Sequence, residues 1–241
     1  MSIMKKQLTG LRYFPKKGKG LVFLSPSVHA MFTIVNDYLT QYDSEELPDR
    51  PYFYNERATL SLLAGGIWKS DQSNLVLEEY CSPKVGESGN YRGRFDVWFR
   101  TADKSCSCEA KQIYTSGSVF TEGHADEIIR VLRSQSDQAL RCVEDHMKEW
   151  RIDYALGMVF VIPHLRSRHR PKAASLVSRL LERLDTRLER FCRTQKYYCL
   201  RASYFPGRHF AKADKAQSHH SAWYPGFVTL IAGKEMPGIS N

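Results

Sequence analysis

Apolar residues recur with helical spacing in four stretches of the chain. In each stretch an apolar side chain returns every three or four residues, which places these side chains on one face of a helix. The Gly65-Gly66 pair predicts the end of the second helix, and a polar segment from Ser134 to Gln138 interrupts the apolar stripe of the third. The four predicted helices are 27–42, 53–66, 123–150 and 173–193.

Short runs rich in β-branched and aromatic residues predict strands between these helices. The nearly all-apolar run at 154–162 predicts a central strand that is covered on both faces and is stopped by Pro163. A short strand-like segment is predicted at 21–24, and residues 83–93 are predicted to form a glycine-rich loop. The other predicted strands are 74–80, 94–100, 107–113, 197–204 and 227–232.

The order of these elements predicts an α/β (α+β) fold, in which a central mixed sheet is flanked by helices. The strands at 74–80, 94–100 and 107–113 follow one another directly and should form an antiparallel meander. The long third helix then crosses to the strand at 154–162, which can run parallel to one of them. We expect one compact domain overall, with the basic segment and helix of residues 1–52 packed on a core formed by residues 53–241.

The amino-acid composition is that of a globular protein with a basic surface. Of the 241 residues, 42% are hydrophobic and 25% are charged, and the formal net charge is +9. A positive charge of this size favours nucleic acid as the partner, although a basic protein without such a partner fits the same number. The densest basic run is 164–172, and a second basic segment lies near the N-terminus. The residues predicted to contact phosphate are Arg166, Arg168, Arg170, Lys172, Lys16 and Lys17, and the two N-terminal lysines fit a solvated turn equally well.

The cysteines and the N-terminus indicate where the protein works. The six cysteines are irregularly spaced in a long chain, so a disulfide framework is not predicted. Cys106 and Cys108 have no second pair with which to form a zinc site. The first residues hold no apolar run of signal-peptide length, and no segment has the length and hydrophobicity of a membrane span. We therefore expect a cytoplasmic protein that does not act at a membrane.

A cluster of charged residues on neighbouring predicted strands suggests a catalytic site. Asp96 lies on one strand, and Glu109 and Lys111 share a face of the next because side chains alternate along a strand. Two carboxylates can hold a divalent cation through oxygen, and a lysine beside them can hold water or phosphate. A solvated ladder, in which Glu109 pairs with Lys111 and Asp96 pairs with Arg94 or Lys111, would use the same residues.

The order of these residues along the chain resembles that of a large nuclease group. Glu56 lies in the first turns of a helix, Asp96 lies on a strand, and Glu109-x-Lys111 lies on the following strand, before a helix and another strand. This pattern is similar to the PD-(D/E)xK nuclease superfamily, which includes restriction endonucleases and Holliday-junction resolvases. The resemblance covers roughly residues 53–162, and it departs at Phe95, where the motif often has proline. An acid at the start of a helix is also favourable without any catalytic role, which leaves Glu56 open.

The resemblance implies a role for each residue of the motif. A Mg²⁺ or Mn²⁺ ion would be held by Asp96, Glu109 and the backbone carbonyl of Ala110, with Glu56 acting through a water molecule. Lys111 would hold or deprotonate the attacking water and stabilise the developing charge.

Two further residues near the motif are candidate site residues. Gln112, which follows the lysine as in several branches of the superfamily, could orient the substrate backbone, and Arg94 could contact phosphate. The implied function is a metal-dependent DNA endonuclease that hydrolyses phosphodiester bonds. A homodimer or a partner protein of a defence or recombination system would be compatible with it.

Two other functions remain open on the sequence alone. The first is a catalytically inactive, nuclease-like subunit that binds DNA or assembles a complex. The second is an unrelated α/β interaction module in which the acids form surface pairs. The separation of the carboxylates in the folded chain bears on the choice between these functions.

Overall fold

The computed structural model describes residues 8–15, 20–42, 49–79, 81–86, 89–146, 151–207 and 222–237. For residues 81–86, 89–94, 145, 146, 167, 170 and 222 it describes the backbone alone. The helices are α1 (Ser25–Tyr42), α2 (Glu56–Ser70), α3 (Glu122–His146) and α4 (Ala173–Gln195). Two short 3-10 helices lie at Val22–Leu24 and Ser167–Lys172. The strands are β1 (Gly10–Phe14), β2 (Leu75–Glu78), β3 (Cys81–Gly86), β4 (Gly89–Arg94), β5 (Val97–Thr101), β6 (Lys104–Ser116), β7 (Tyr154–Arg166), β8 (Tyr198–Tyr204), β9 (Ala222–Trp223) and β10 (Phe227–Glu235).

Eight of the described strands belong to one mixed sheet, which confirms the predicted fold class. The order across the sheet is β1-β8-β10-β7-β6-β5-β2, and the short β9 pairs with the end of β7. The strands β2, β5 and β6 form the predicted antiparallel meander. Helix α3 then crosses to β7, which runs parallel to β6 from Cys106 opposite Tyr154 to Ser116 opposite His164. The other pairs in this sheet are antiparallel.

The sheet lies between two layers of helices. Helices α1 and α2 cover one face, where their apolar side chains pack on alternate residues of β6, β7, β8 and β10. Helices α3 and α4 cover the other face and pack on the residues in between. Strand β7 is therefore buried on both sides, as its continuous apolar sequence predicts. Among the described residues, no helix is both long enough and apolar enough to cross a membrane.

Two segments predicted from local composition have a different structure. Residues 21–24 form a turn instead of a strand, with the N–H of Leu24 donating to the carbonyl of Leu21 at 3.2 Å. Leu21 and Leu24 are both buried while Val22 is exposed, so the apolar spacing is three residues and not two. The predicted glycine-rich loop at 83–93 contains the hairpin of β3 and β4, which pair only with each other among the described strands. Its glycines and polar residues concealed the strand pattern.

Strand β7 continues through Pro163 to Arg166, although proline was predicted to stop it. The carbonyl of His164 accepts a hydrogen bond from Gly117 N at 2.8 Å, so residue 164 faces β6 and residue 163 faces away. On that far side, β10 pairs as far as Val161 and β9 begins at Leu165. Pro163 therefore lies in a gap between two partners, where its missing N–H leaves no ladder bond unmade.

Helix α2 also continues past the Gly65-Gly66 pair that was predicted to end it. It runs to Ser70, and both glycines lie inside it. A Cβ atom on Gly66 would lie 2.5 Å from the carbonyl oxygen of Ser27 on α1, so the glycine allows the two helices to cross closely. The conformational freedom that usually makes glycine a helix terminator is not used here.

We expect Gly66→Ala to lower the free energy of unfolding by about 1–3 kcal/mol, because the added Cβ collides with the α1 backbone at Ser27 and Met31. Gly65→Ala is the matched control, since its Cβ would meet only the side chain of Ile34, at 3.2 Å. Alanine favours a helix by about 1 kcal/mol over glycine, so this variant should be neutral or slightly stabilising. Denaturant unfolding measures both, and equal effects would contradict the close crossing of α1 and α2.

Candidate functional site

The predicted site residues meet where β6 extends beyond its partner β5. Strand β5 pairs with β6 only as far as Val97 opposite Cys108, and no described strand continues on that side. The next outward-facing N–H groups of β6, those of Ala110 and Gln112, donate instead to carboxylates. We call this side of residues 110–112 the β6 edge.

Two acids from distant parts of the chain complete the β6 edge. The N–H of Ala110 donates to Asp96 Oδ2 at 2.7 Å. The N–H of Gln112 donates to Glu56 Oε2 at 2.9 Å. The two N–H groups lie two residues apart on a strand, or about 7 Å. Because the N–H and C=O of a strand residue point the same way, the carbonyl of Ala110 lies between the two carboxylates.

The chain holds each of these acids at the end of a secondary-structure element. Asp96 precedes β5, where its carbonyl accepts from Glu79 N at 3.0 Å and the neighbouring Phe95 is buried. Glu56 is the first residue of α2, which begins there because the side chain of Asn55 caps it by accepting from Ala58 N at 2.8 Å. Asp96 was predicted to lie within a strand, and it lies instead just outside β5, which begins at residue 97.

Glu109 is buried on the opposite side of the strand from the helix that carries Glu56. Only 3% of its surface is exposed, and its Oε2 accepts a hydrogen bond from Gln138 Nε2 on α3 at 3.0 Å. Helix α3 comes this close because Gly157, beside Glu109 in the sheet, has no side chain. A Cβ there would lie 2.3 Å from the backbone nitrogen of Ser136. The polar interruption in the α3 stripe therefore faces the site.

Lys111 is exposed at the rim of the site. Its Nζ lies 3.6 Å from Glu56 Oε2, and 57% of its side chain is accessible to solvent. The ladder proposed as an alternative, in which Glu109 pairs with Lys111, is therefore not formed. Glu109 bonds to Gln138 of α3, whereas Lys111, on the same face of the strand, reaches past its exposed edge to Glu56 of α2.

Gln112 is fixed at both ends of its amide group. Its Oε1 accepts from Thr59 Oγ1 of α2 at 2.8 Å, and its Nε2 donates to the hydroxyl of Tyr114 at 2.7 Å. The Tyr114 hydroxyl in turn donates to the backbone carbonyl of Phe53. This chain of hydrogen bonds joins the β6 edge to the turn that precedes α2.

The carboxylates of Asp96 and Glu109 act on the same buried group. Burial raises the pKa of the Cys108 thiol well above its usual range, and the charges of Asp96 and Glu109 raise this pKa further. Both acids also adjoin one peptide group, because Asp96 accepts from the N–H that joins Glu109 to Ala110. Asp96 therefore lies beside the backbone that carries Glu109.

The oxygen donors near this place are of the chemical kind that a hard divalent cation binds. Within the described parts of the chain, no group of three or more His, Cys, Asp or Glu side chains is arranged to hold a metal ion. Mg²⁺ needs no such group, since it commonly uses one or two carboxylates together with water and substrate phosphate. Asp96, Glu109 and the Ala110 carbonyl supply oxygen atoms of this kind.

The predicted phosphate-binding residues are only partly described. Arg166, Arg168 and Lys172 are exposed, where β7 passes into the 3-10 helix. Burial lowers the pKa of His169 between them, and the charges of Arg168, Arg166 and Lys172 lower it further, which indicates how densely positive charge is gathered there. Lys16 and Lys17 and the side chains of Arg94 and Arg170 lie outside the described residues.

The basic run lies at the same end of the sheet as the site. Ser116 pairs with His164, which begins the run, and Ser116 is five residues beyond Lys111 on β6. At about 3.3 Å per residue, the separation along the strand is about 16 Å. A nucleic-acid backbone that touches the basic run can therefore also reach Lys111.

Three residues of the site were not predicted: Gln138, Thr59 and Tyr114. The polar interruption at 134–138 in an otherwise apolar helix stripe was the available signal for Gln138. No comparable signal marks Thr59 or Tyr114, because their roles depend on the close approach of α2 to β6. Comparison of the chain with known protein families, with curated proteins and with solved structures finds no match. Its function must therefore be argued from the site.

Proposed function

We propose that this protein is a metal-dependent DNA endonuclease that hydrolyses phosphodiester bonds at the β6 edge. The observation that carries the proposal is the contact of Asp96 with the N–H of Ala110, between the buried Glu109 and the exposed Lys111 in the sequence of β6. The order of elements around it supports the resemblance to PD-(D/E)xK nucleases. Helix α2 is followed by the β2-β5-β6 meander, by α3 and by β7 parallel to β6.

Each residue at or beside the β6 edge would have its own role in hydrolysis. A bound Mg²⁺ or Mn²⁺ ion would supply neutralising charge at the scissile phosphate and would acidify the attacking water. Asp96, Glu109 and the Ala110 carbonyl would hold the ion, with Glu56 acting through a water molecule. Lys111 can turn from Glu56 towards the substrate, where its ammonium group holds the attacking water and stabilises the developing negative charge.

The basic run would position the DNA without reading its sequence. Arg166, Arg168 and Lys172 are exposed and can each contact a phosphate. Contacts of this kind release counterions, so binding should weaken steeply as salt is added. Gln112, which is held by Thr59 and Tyr114, would orient the strand beside the carboxylates.

A cleavage assay tests the proposed activity directly. The purified protein is incubated with supercoiled plasmid, linear duplex and single-stranded DNA, in Mg²⁺, in Mn²⁺ and in EDTA. We expect cleavage of at least one substrate with either metal and none in EDTA. Intact DNA under every metal condition, from a protein that binds the same DNA, would contradict the enzymatic proposal.

One observation favours the competing function, a non-catalytic subunit that binds DNA or assembles a complex. The carboxylate of Glu56 already accepts from Gln112 N and pairs with Lys111, so these residues also stabilise the junction of α2 and β6. Salt-sensitive DNA binding without cleavage in any metal would support this function instead.

Replacing Gln138 should weaken metal binding at the site more than it destabilises the fold. Gln138 donates to the buried Glu109 carboxylate, and loss of such an outer partner of a metal ligand costs about 10- to 100-fold in metal affinity or activity. For Gln138→Ala we therefore expect half-maximal cleavage at a higher Mg²⁺ concentration by about this factor. Gln135→Ala, on the same helix one turn earlier, is the control. An unchanged Mg²⁺ dependence would remove Gln138 from the site.

A further inference from the structure

We propose that Phe53, Tyr54 and Tyr114 form a stacking platform for unpaired bases, so that the substrate is DNA with a single-stranded region. The platform is the surface made by these three rings, beside the β6 edge. The inference deepens the proposed function, on which it rests for the identity of the ligand as DNA.

The three rings are exposed although they are large and apolar. The exposed fractions are 39% for Phe53, 57% for Tyr54 and 46% for Tyr114. The ring of Phe53 lies 6.1 Å from that of Tyr114 and 6.3 Å from that of Tyr54. Grouped aromatic surface of this kind on a protein marks a place of contact with another molecule.

Hydrogen bonds hold the platform rigid without covering the rings. The hydroxyl of Tyr114 donates to the carbonyl of Phe53 and accepts from Gln112. The hydroxyl of Tyr54 donates to Asp49 Oδ1. Because these hydrogen bonds fix their polar ends, the two tyrosine rings lose little conformational freedom when a ligand stacks on them.

The platform lies between the proposed site and the basic run. On one side, Tyr114 is hydrogen-bonded to Gln112 of the β6 edge. On the other side, the ring of Phe53 lies 4.4 Å from that of Tyr224, which lies 6.4 Å from the ring of His164. His164 begins the basic run. A strand that crosses this surface would meet carboxylates, rings and cations in succession.

This succession matches the chemistry of an unpaired strand and not that of a duplex. Proteins bind single strands by stacking bases on aromatic rings while cations follow the phosphates. The bases of a duplex are stacked on one another and offer no free face to a ring. Tyr114 lies three residues beyond Lys111, or about 10 Å along the strand. The bases on the platform would therefore lie a few nucleotides from the bond that is cut.

Binding measured without cleavage tests the platform. Fluorescence anisotropy in EDTA compares labelled DNA of one sequence as a single strand, as a blunt duplex and as a duplex with a single-stranded overhang. We expect the single strand and the overhang to bind more tightly than the blunt duplex. Tyr54→Leu should weaken single-strand binding by about 5- to 150-fold, since stacking contributes about 1–3 kcal/mol per base, and should leave the blunt duplex unchanged.

Three variants separate stacking from other effects of the substitution. Tyr54→Phe loses the bond to Asp49 but keeps the ring, so it should retain the preference for single strands. Trp68→Leu, a substitution of an equally exposed aromatic residue near the far end of α2, should change nothing. If Tyr54→Leu lowers the melting temperature, Tyr114→Leu is judged by the same ratio of single-strand to duplex affinity.

Two results would overturn the platform: equal loss of single-strand and duplex affinity in the leucine variants, or no preference for single strands in the wild type. Tighter binding of an RNA strand of the same sequence would overturn DNA as the ligand. Because these binding measurements are made without metal, their outcome does not depend on whether the protein cleaves DNA. A platform without cleavage contradicts only the endonuclease, and cleavage by a protein that binds single strands no better than blunt duplex contradicts only the platform.

Discussion

Replacing Lys111 by alanine should reduce metal-dependent DNA cleavage by about 10²- to 10⁴-fold while leaving the protein folded. Under the proposed mechanism, the Lys111 ammonium group holds the attacking water and stabilises charge that develops only in the transition state. Loss of the Lys111 ammonium group therefore lowers the cleavage rate. Stability should change little, because the pair with Glu56 is solvent-exposed and such pairs contribute about 0–1 kcal/mol. Rates from gel-resolved cleavage and melting temperatures measure the two effects separately.

A second surface lysine in an ion pair provides the control for this experiment. Lys69 on α2 lies 3.3 Å from Asp37 Oδ2, and half of its side chain is exposed, so Lys69→Ala also breaks one surface ion pair. It should cleave DNA like the wild type. Equal rates for Lys111→Ala and the wild type would show the mechanism to be wrong, whatever the stability of the variant.

The variant Asp96→Asn removes the negative charge of the side chain and keeps its shape. The asparagine carbonyl oxygen can still accept from Ala110 N, so the end of β5 should stay in place. The site loses one of its two proposed carboxylate ligands, and cleavage should fall with it. Wild-type cleavage by this variant would remove Asp96 from the metal site and leave it as a structural acceptor.

The sheet topology was predictable from the chain because it rests on local order. Strands that follow one another across short connections pair antiparallel, and a long helix between two strands makes the crossover that allows β6 and β7 to run parallel. The order of elements along the chain does not predict contacts between residues that are far apart in the sequence. Gly65 and Gly66 carry the composition of a helix end, and only the packing of Gly66 on Ser27 explains why α2 continues through them.

The site was predictable as a set of residues but not as a geometry. The resemblance named Glu56, Asp96, Glu109 and Lys111, and the fold brings the first two to neighbouring N–H groups of β6. The β6 edge itself depends on β5 being shorter than its sequence predicts, since Phe95 turns into the core and ends the pairing. Tertiary packing therefore determines where β5 begins, and it outweighs the strand propensity of the local sequence.

Near the other edge of the sheet, a buried ion pair holds α4 to β8, and its loss should affect stability and not cleavage. Arg201 on β8 donates from Nε to Asp185 Oδ1 of α4 at 2.6 Å, and less than a tenth of either side chain is exposed. Arg12 on β1 reaches the other oxygen of Asp185, also at 2.6 Å. Asp185 thus joins α4 to two strands at the edge of the sheet.

Asp185→Ala should lower the free energy of unfolding by about 3–5 kcal/mol, because it leaves the guanidinium of Arg201 buried without its counter-charge. At about 2–4 °C per kcal/mol for a chain of this size, the melting temperature should fall by about 6–20 °C. Strand β8 lies three strands from β6 in the sheet, or about 14 Å. The cleavage rate per folded molecule should therefore equal that of the wild type at a temperature where the variant is folded.

A surface pair on the same helix distinguishes burial from charge as the cause. Glu189 and Arg193 form an exposed pair one turn further along α4, and Glu189→Ala should change stability by no more than about 0.5 kcal/mol. Replacing both buried partners, as Asp185→Leu with Arg201→Met, should recover most of the loss, since no buried charge is then left unpaired and the remaining Arg12 is 42% exposed. If Asp185→Ala is no more destabilising than Glu189→Ala, the guanidinium of Arg201 finds water or another partner in the variant. Helix α4 must then be held to the sheet by its apolar face alone.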